Sequence, residues 1–309
     1  MRFINKDEIS RVLTFPRLIE ALEAAHRRPK IEIKDTMLGT PEQCYYVRNA
    51  VDNGRFFASK LITSFPANLA SGALPAVQAV VVLFDARDGR PLAVMDGTEI
   101  TYWRTAADSA LGADYLARKD AETLLVVGAG AIAPWLVRAH RCARPSLARV
   151  LCWNRSEARA TRLAEALSAE GVGAEPSADL ETAVRCADIV TTCTRANAPL
   201  VRGSWLRPGA HLDLVGGFDL YTREADDDCV RLSRVYVDRR ETAVDVADIA
   251  EPLKAGTLRK NGILGDLYDL ATGRAQARRS ASEITFFKNA GGAHLDLMTA
   301  ELIFSLLNQ

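Results

Sequence analysis

Thr123-Leu-Leu-Val-Val127 runs directly into Gly128-Ala129-Gly130-Ala131-Ile132-Ala133. A short apolar strand that ends on G-x-G-x-x-A and opens a helix has the form of a turn that cradles a dinucleotide pyrophosphate. Gly128 permits the tight bend, Gly130 lets the backbone approach the phosphates, and Ala133 is small enough for the helix to lie close on the strand. The helix N-terminus adds free N–H groups and partial positive charge, which brings Ala131 and Ile132 into the cradle. Alone the pattern is common, so its meaning rests on its surroundings.

Those surroundings repeat strand, turn and helix. A strand over 124–127 is followed by a helix from Ala131, a strand over 150–153, a helix over 156–169 and a strand over 189–192, with later strands over 211–215, 235–237 and 283–287. Short buried strands alternating with amphipathic helices imply a parallel sheet. The second strand ends at Trp153-Asn154-Arg155-Ser156, about 20 residues past the turn, where this fold reads the adenosine ribose. An acidic residue there binds the 2′-hydroxyl of NAD. Here Asn154, Arg155 and Ser156 stand instead, and an arginine can pair with a 2′-phosphate, so NADP is expected, with NAD as the other candidate. The bland alternative is that Arg155 is a solvated surface side chain.

The region before residue 120 has a different texture. A helix over 16–26 carries Leu18, Leu22 and Ala25 on one face, strand-like runs occupy 45–47, 56–63 and 77–85, and Asp88-Gly89 reads as a hairpin turn. A helix over 101–117 leads out, and an apolar helix over 294–307 follows the break at Gly291-Gly292. The expected fold class is α/β: a Rossmann-type doubly wound parallel sheet over 119–289, plus an α+β domain over 1–118 completed by 290–309.

Composition narrows the partners. Lys plus Arg and Asp plus Glu each number 39 among 309 residues, so no overall positive field draws the chain to nucleic acid or to an anionic membrane. No segment approaches the roughly 20 apolar residues that span a bilayer, and the N-terminus lacks the apolar core of a secretory signal. The six cysteines include no C-x-x-C pair, and His26, His140, His211 and His294 show no metal-ligand spacing. A cytoplasmic protein with reduced thiols, no metal and a small-molecule substrate is expected.

Further stretches carry a resemblance. Lys60-Leu-Ile-Thr-Ser-Phe-Pro66-Ala-Asn68, Leu74-Pro75, Val82-Leu-Phe-Asp85, Gly89-Arg-Pro-Leu-Ala-Val-Met-Asp96-Gly97-Thr98 and Thr101-Tyr-Trp-Arg104-Thr105 precede the nucleotide turn. Gly216-Gly217, Arg223-Glu224 and Glu283-Ile-Thr-Phe-Phe-Lys288-Asn-Ala-Gly291 follow it. In this order they resemble the ornithine cyclodeaminase and mu-crystallin family, over nearly the whole chain. The resemblance implies that the first domain binds substrate and dimerises, that the protein is a homodimer, and that hydride moves at the α-carbon of a small amino or imino acid. It also implies that Lys60 and Arg104 hold the substrate carboxylate. Arginine supplies a planar fork and lysine a compact charge for that task.

For a further substrate cation the family's upstream arginine finds only Lys34 at a comparable distance, with Arg48 as a substitute. Asp219, after the glycine pair, is the candidate acid that keeps an imine nitrogen protonated, although it stands one place later than in the cyclodeaminases; capping the turn before Tyr221 is the alternative. Matching positions imply cofactor contacts from Gln78, Thr192, Cys193, Thr194, Val215, Gly216, Gly217, Ala290 and Gly291. The phrase around Lys60 is closer to Δ1-pyrroline-2-carboxylate and ketimine reductases than to genuine cyclodeaminases, which typically carry Asn-Gly-His after the lysine. Reduction of a cyclic imino acid to L-proline is therefore the expected reaction. The alternatives are ornithine cyclodeamination and a non-catalytic, mu-crystallin-like protein that binds NADP and a small ligand.

Overall fold

The computed structural model describes residues 1–40, 42–68, 74–217 and 219–308; Phe218, beside the glycine pair, lies outside them. The chain forms two compact units, Met1–Arg104 with Gly292–Gln309, and Thr105–Gly291. The division falls inside the long helix Gly97–Leu116, so Arg104 belongs to the first unit and Thr105 onward to the second.

The first unit is built on a sheet of β1 (Arg2–Ile4), β2 (Glu32–Thr40), β3 (Gln43–Asp52), β4 (Phe56–Ser64), β5 (Val77–Asp85) and β6 (Pro91–Asp96), in the order β1-β6-β5-β4-β3-β2. All neighbours are antiparallel except β1 and β6. The Asp88-Gly89 turn joins β5 to β6 as its sequence implies. Three elements fall outside the sequence reading, the first being the short strand β1. The helix Lys6–Val12 starts on a capping box between Asn5 and Glu8, and β2 is a mostly exposed edge strand whose polar residues hide its pairing. Side chains alternate between faces along each strand. Ala50, Ala58, Val81, Leu83, Ala93 and Met95 are buried on the face against which the helix Ala293–Leu307 packs.

The second unit is a parallel sheet of β7 (Thr123–Val127), β8 (Arg149–Trp153), β9 (Ala174–Pro176), β10 (Ile189–Thr192), β11 (His211–Leu214), β12 (Ser233–Val237), β13 (Ile263–Gly265) and β14 (Ile284–Lys288). Its order is β13-β12-β14-β11-β10-β7-β8-β9, every pair parallel. The central strands are almost wholly buried, as a sheet covered on both sides requires, and β10 and β11 carry Thr191, Thr192, His211 and Asp213 among their apolar residues. The chain winds outward from β7 through β8 to β9, then returns to β10 on the other side of β7. The order thus reverses between β7 and β10, and ligands of such sheets lie outside the carboxyl ends of the strands at that reversal. The doubly wound α/β class read from the sequence is the observed one. The helix after the glycine turn spans Ala133–Ala143 and begins two residues later than expected, with a proline in its first turn. Among the described residues no helix is long and apolar enough to cross a membrane.

Candidate functional site

In the first unit, strand register gathers a cluster of charges. Asp35, Arg48, Lys60, Val81 and Met95 are successive cross-strand partners across β2, β3, β4, β5 and β6, and directly paired residues share one face. Lys60 is only 2% exposed; its Nζ donates to Asp296 Oδ1 at 3.0 Å and to Thr101 Oγ1. Asp296 comes from the helix Ala293–Leu307, and Arg104 Nε lies 3.5 Å from its Oδ1. Arg48 Nε donates to Asp35 Oδ2 at 3.0 Å, and the Tyr46 hydroxyl donates to the same oxygen. Lys34 pairs with Asn49 one position along, on the opposite face, and is exposed. Of the two proposed further cations, Arg48 therefore joins Lys60 and Arg104, and Lys34 does not.

Three cations and two carboxylates leave the cluster one charge positive. Burial pulls the Lys60 pKa down to about 8, helped by Arg104 and Arg48 and opposed by Asp296. Burial alone would raise the Asp296 carboxyl, but Lys60, Arg104 and Arg48 hold it below the ordinary carboxylate range. Arg104 Nε and Asp296 Oδ2 are buried without a hydrogen-bond partner among the described residues. Buried polar atoms are rarely left so, and such a place fits completion by water or a polar ligand.

In the second unit the glycine turn fits a pyrophosphate. Gly128 has φ +116°, a conformation that disfavours a side chain, and a Cβ there would stand 2.9 Å from the Cys193 carbonyl oxygen. A Cβ on Gly130 would meet nothing within 4 Å, so the approach beside it is open. At the end of β8, Asn154 Oδ1 accepts from Ala129 N at 3.3 Å and its Nδ2 donates to the Ser156 carbonyl at 3.1 Å. Asn154 braces the turn where a ribose-binding acid would otherwise stand, while Arg155 and Ser156 are exposed. The remaining positions sit at strand tips: Cys193 N donates to the Val127 carbonyl, Val215 N to that of Thr192, and Gly291 N to Asp238 Oδ2 at 2.6 Å. Gln78 stands apart in the first unit, on β5 opposite Thr63, and thus on the sheet face away from Lys60.

Asp219 is occupied locally. Its Oδ1 accepts from Tyr221 N at 2.8 Å, Thr222 N at 2.7 Å and Thr222 Oγ1 at 2.8 Å. Burial raises its pKa, but the bonds from Thr222 and Tyr221 outweigh that and leave it below the usual value. A carboxyl so held keeps its charge rather than a proton.

Sequence reasoning gave no role to three groups that organise the strand tips. Glu224, fully buried, accepts from Thr194 N at 2.6 Å and Thr194 Oγ1 at 2.7 Å through Oε1, and from Thr192 Oγ1 and Gly216 N, both at 2.7 Å, through Oε2. Burial and the nearby Asp248 raise its pKa, while Lys288 opposes them. Asp248 accepts from Glu224 N at 2.9 Å and from Lys288 Nζ at 3.1 Å. This network binds the ends of β10 and β11 together. It also explains the glycine at 216, where a Cβ would fall 2.0 Å from the Thr194 carbonyl oxygen.

A dinucleotide turn on a doubly wound sheet in the second unit, together with a buried cationic cluster in the first, defines an NAD(P)-dependent oxidoreductase of the two-unit kind. Within that class the chain belongs to the ornithine cyclodeaminase/mu-crystallin family, whose model matches residues 23–309. It is similar to the Δ1-pyrroline-2-carboxylate reductase of Paracoccus denitrificans (strain Pd 1222), 42% identical over 305 residues that cover 98% of this chain and 96% of the relative. The ketimine reductase mu-crystallin of Rattus norvegicus is 32% identical over 248 residues, 80% of this chain and 74% of that one. The solved structure of Thermococcus litoralis Δ1-pyrroline-2-carboxylate reductase in complex with NADH and L-proline matches with a TM-score of 0.93 at 29% identity, covering 100% of this chain and 98% of that chain.

Glu224→Ala takes the acceptor from two backbone N–H groups, Thr194 and Gly216, at a cost of about 1–3 kcal/mol each. Denaturant unfolding of the unliganded protein is expected to show a loss of roughly 2–6 kcal/mol; a change below about 0.5 kcal/mol would mean that the bonds are not made in solution.

Proposed function

We propose that this protein is an NAD(P)-dependent imino-acid reductase that converts a cyclic imino acid such as Δ1-pyrroline-2-carboxylate to L-proline, with NADPH as the preferred donor. The observation that carries this reading is the buried positive surplus formed by Arg48, Lys60 and Arg104 against Asp35 and Asp296. It suits an anionic carboxylate, and the names of the similar reductases agree with it. Ornithine brings a second ammonium to a cluster that is already positive, whereas a cyclic imino acid brings at most one cation to offset its carboxylate. The charge balance therefore favours the reductase over the cyclodeaminase.

A reduced nicotinamide, when bound, supplies a hydride to the imine carbon beside the carboxylate. Lys60 and Arg104 anchor that carboxylate, with Arg48 completing the positive rim, and so fix the ring's place in the site. The backbone at Gly128–Ile132 takes the pyrophosphate. The tips of β10 and β11 at Thr192–Thr194 and Val215–Gly217, with Ala290 and Gly291 after β14, line the nicotinamide half, and the Glu224 network keeps those tips in register. Asp219 shapes its turn in this proposal and supplies no proton; the imine nitrogen takes its proton from water, so that the ring is reduced as the iminium. The six free cysteines suit a reducing compartment, and we place the protein in the cytoplasm.

Mixing the protein with NADPH and Δ1-pyrroline-2-carboxylate is expected to consume nicotinamide absorbance and yield proline. Ammonia release from ornithine without net cofactor change would turn the reading to the cyclodeaminase, and tight NADPH binding without turnover of any cyclic imino acid would leave a binding protein. Because Lys60 must be charged to hold a carboxylate and its pKa is about 8, kcat/KM should fall above about pH 8. The fall should approach tenfold per pH unit; a flat profile to pH 10 removes Lys60 from the reaction. If Arg155 pairs with the 2′-phosphate, Arg155→Ala should weaken NADPH by about 1.5–3 kcal/mol and leave NADH unchanged, as compared by calorimetry. Equal weakening of both cofactors would refute the pairing.

The first unit's sheet face away from Lys60 carries Leu38 and Tyr45, 62% and 40% exposed, and the half-buried row Val47, Leu61 and Val80. An apolar sheet face of this kind is suited to a second copy of itself, and we assign it to a homodimer. Light scattering should return twice 33.7 kDa, with Leu61→Arg halving it; a monomer at micromolar concentration counts against this interface.

A further inference from the structure

Lys60 lies where a lysine should lose its charge. It is buried, its neighbours Arg48 from β3 and Arg104 from the long helix are both cationic, and Thr101 from that helix adds only a hydroxyl. Desolvation and like charges both favour the neutral amine. Asp296, at 3.0 Å from Nζ, is the opposing group. Asp35 is taken up by Arg48 and Tyr46 on the far side of the row. Asp296 also stands 3.5 Å from Arg104 Nε, so a single carboxylate oxygen lies between the two cations expected to hold the substrate.

We propose that Asp296 is a positioning residue for the carboxylate anchor: it fixes the Lys60 ammonium beside the Arg104 guanidinium and keeps the buried lysine protonated at neutral pH. The inference rests on the reductase reading for its kinetic consequence but not for its electrostatic one. Asp296 does not touch the reacting atoms. It acts through Lys60, whose burial between sheet and helix would otherwise discharge it, and through Arg104, which it restrains without a well-aligned hydrogen bond. That restraint leaves Arg104 Nε free of an aligned partner and the guanidinium able to take up a carboxylate.

The test compares the unmodified protein with D296N and D296E. An opposite charge at this distance moves a pKa by about 1–3 units. The alkaline limb of kcat/KM near pH 8 should therefore shift down by about one unit or more in D296N. In D296E, which keeps the charge, the limb should return towards its original position. A D296N profile that is lower at every pH but has its limb in place would show that Asp296 only packs the helix, and would overturn the proposal. Should neither variant fold, lysine labelled with carbon-13 at the ε position reports on the unmodified, unliganded protein: Lys60 should be charged at neutral pH and titrate near pH 8, and a signal already neutral at pH 6 overturns the assignment. This measurement needs no substrate, so a protein that turns over no imino acid can still support or refute the role of Asp296.

Discussion

The ion pair between Lys60 and Asp296 is the constraint on which the first unit is arranged. Its partners are 236 residues apart, one on a central strand and one on the helix that covers the sheet. Taking both charges out of water is expensive, and only their mutual attraction and the surrounding hydrogen bonds offset that cost. A pair of this kind is therefore better explained by what it specifies than by what it stabilises. It ties the rotation and height of the helix Ala293–Leu307 to β4, because this placement brings the Asp296 carboxylate to Nζ while Glu301, on the same helix, pairs with Arg28 and Arg55. Removing one partner leaves the other buried without its counter-charge, typically at about 3–5 kcal/mol, so the site and the fold share a dependence.

The second unit solves a different problem by related means. Its strands are apolar and interchangeable in character, and buried polar groups give them identity. Asp213, in the middle of β11, accepts from Ser109 Oγ at 2.9 Å and Thr191 Oγ1 at 2.7 Å and lies 3.1 Å from His140 Nε2. Asn289 ties the same Ser109 to the Thr105 carbonyl. Glu224 performs the equivalent task at the strand tips. Every one of these carboxylates is satisfied by donors from neighbouring elements, which makes a low-dielectric interior an asset rather than a penalty.

Much of this was legible in the chain, for reasons that differ by residue. The Gly128 turn could be read because its chemistry is local: a bend, a close approach and a helix start all fall within six residues. Lys60 and Arg104 could be placed only through the family resemblance, since an isolated cation in an apolar stretch carries no sign of its partner. Asp296 was passed over because the stretch Ala-His-Leu-Asp-Leu-Met-Thr reads as an apolar helix, and periodicity reports which face is buried, not which charge answers it. Arg48 could not be separated from Lys34 until the register of β2, β3 and β4 showed which face each occupies. Asp219 illustrates the limit of motif position: its sequence allows an acid or a turn cap, and the three local bonds to Tyr221 and Thr222 are those of the cap. Strand β2 is hidden from periodicity, because an exposed edge strand has no hydrophobic alternation to display.

The insertion of β14 between β11 and β12 bears on how the polypeptide acquires its shape during synthesis. Residues 284–288 leave the ribosome after every other strand of that sheet, yet they occupy an interior position, so the nascent sheet carries an unfilled slot until then. The helix at 293–307 is later still, and until it arrives the Lys60 side of the first sheet lacks the helix that supplies Asp296. At about 5–20 residues per second, the face that the last helix covers in the first unit waits roughly 10–40 s, and the slot in the second sheet roughly 2–10 s. Those intervals are when chaperone holdases would have most to do for this chain, and when partly made copies are most prone to associate.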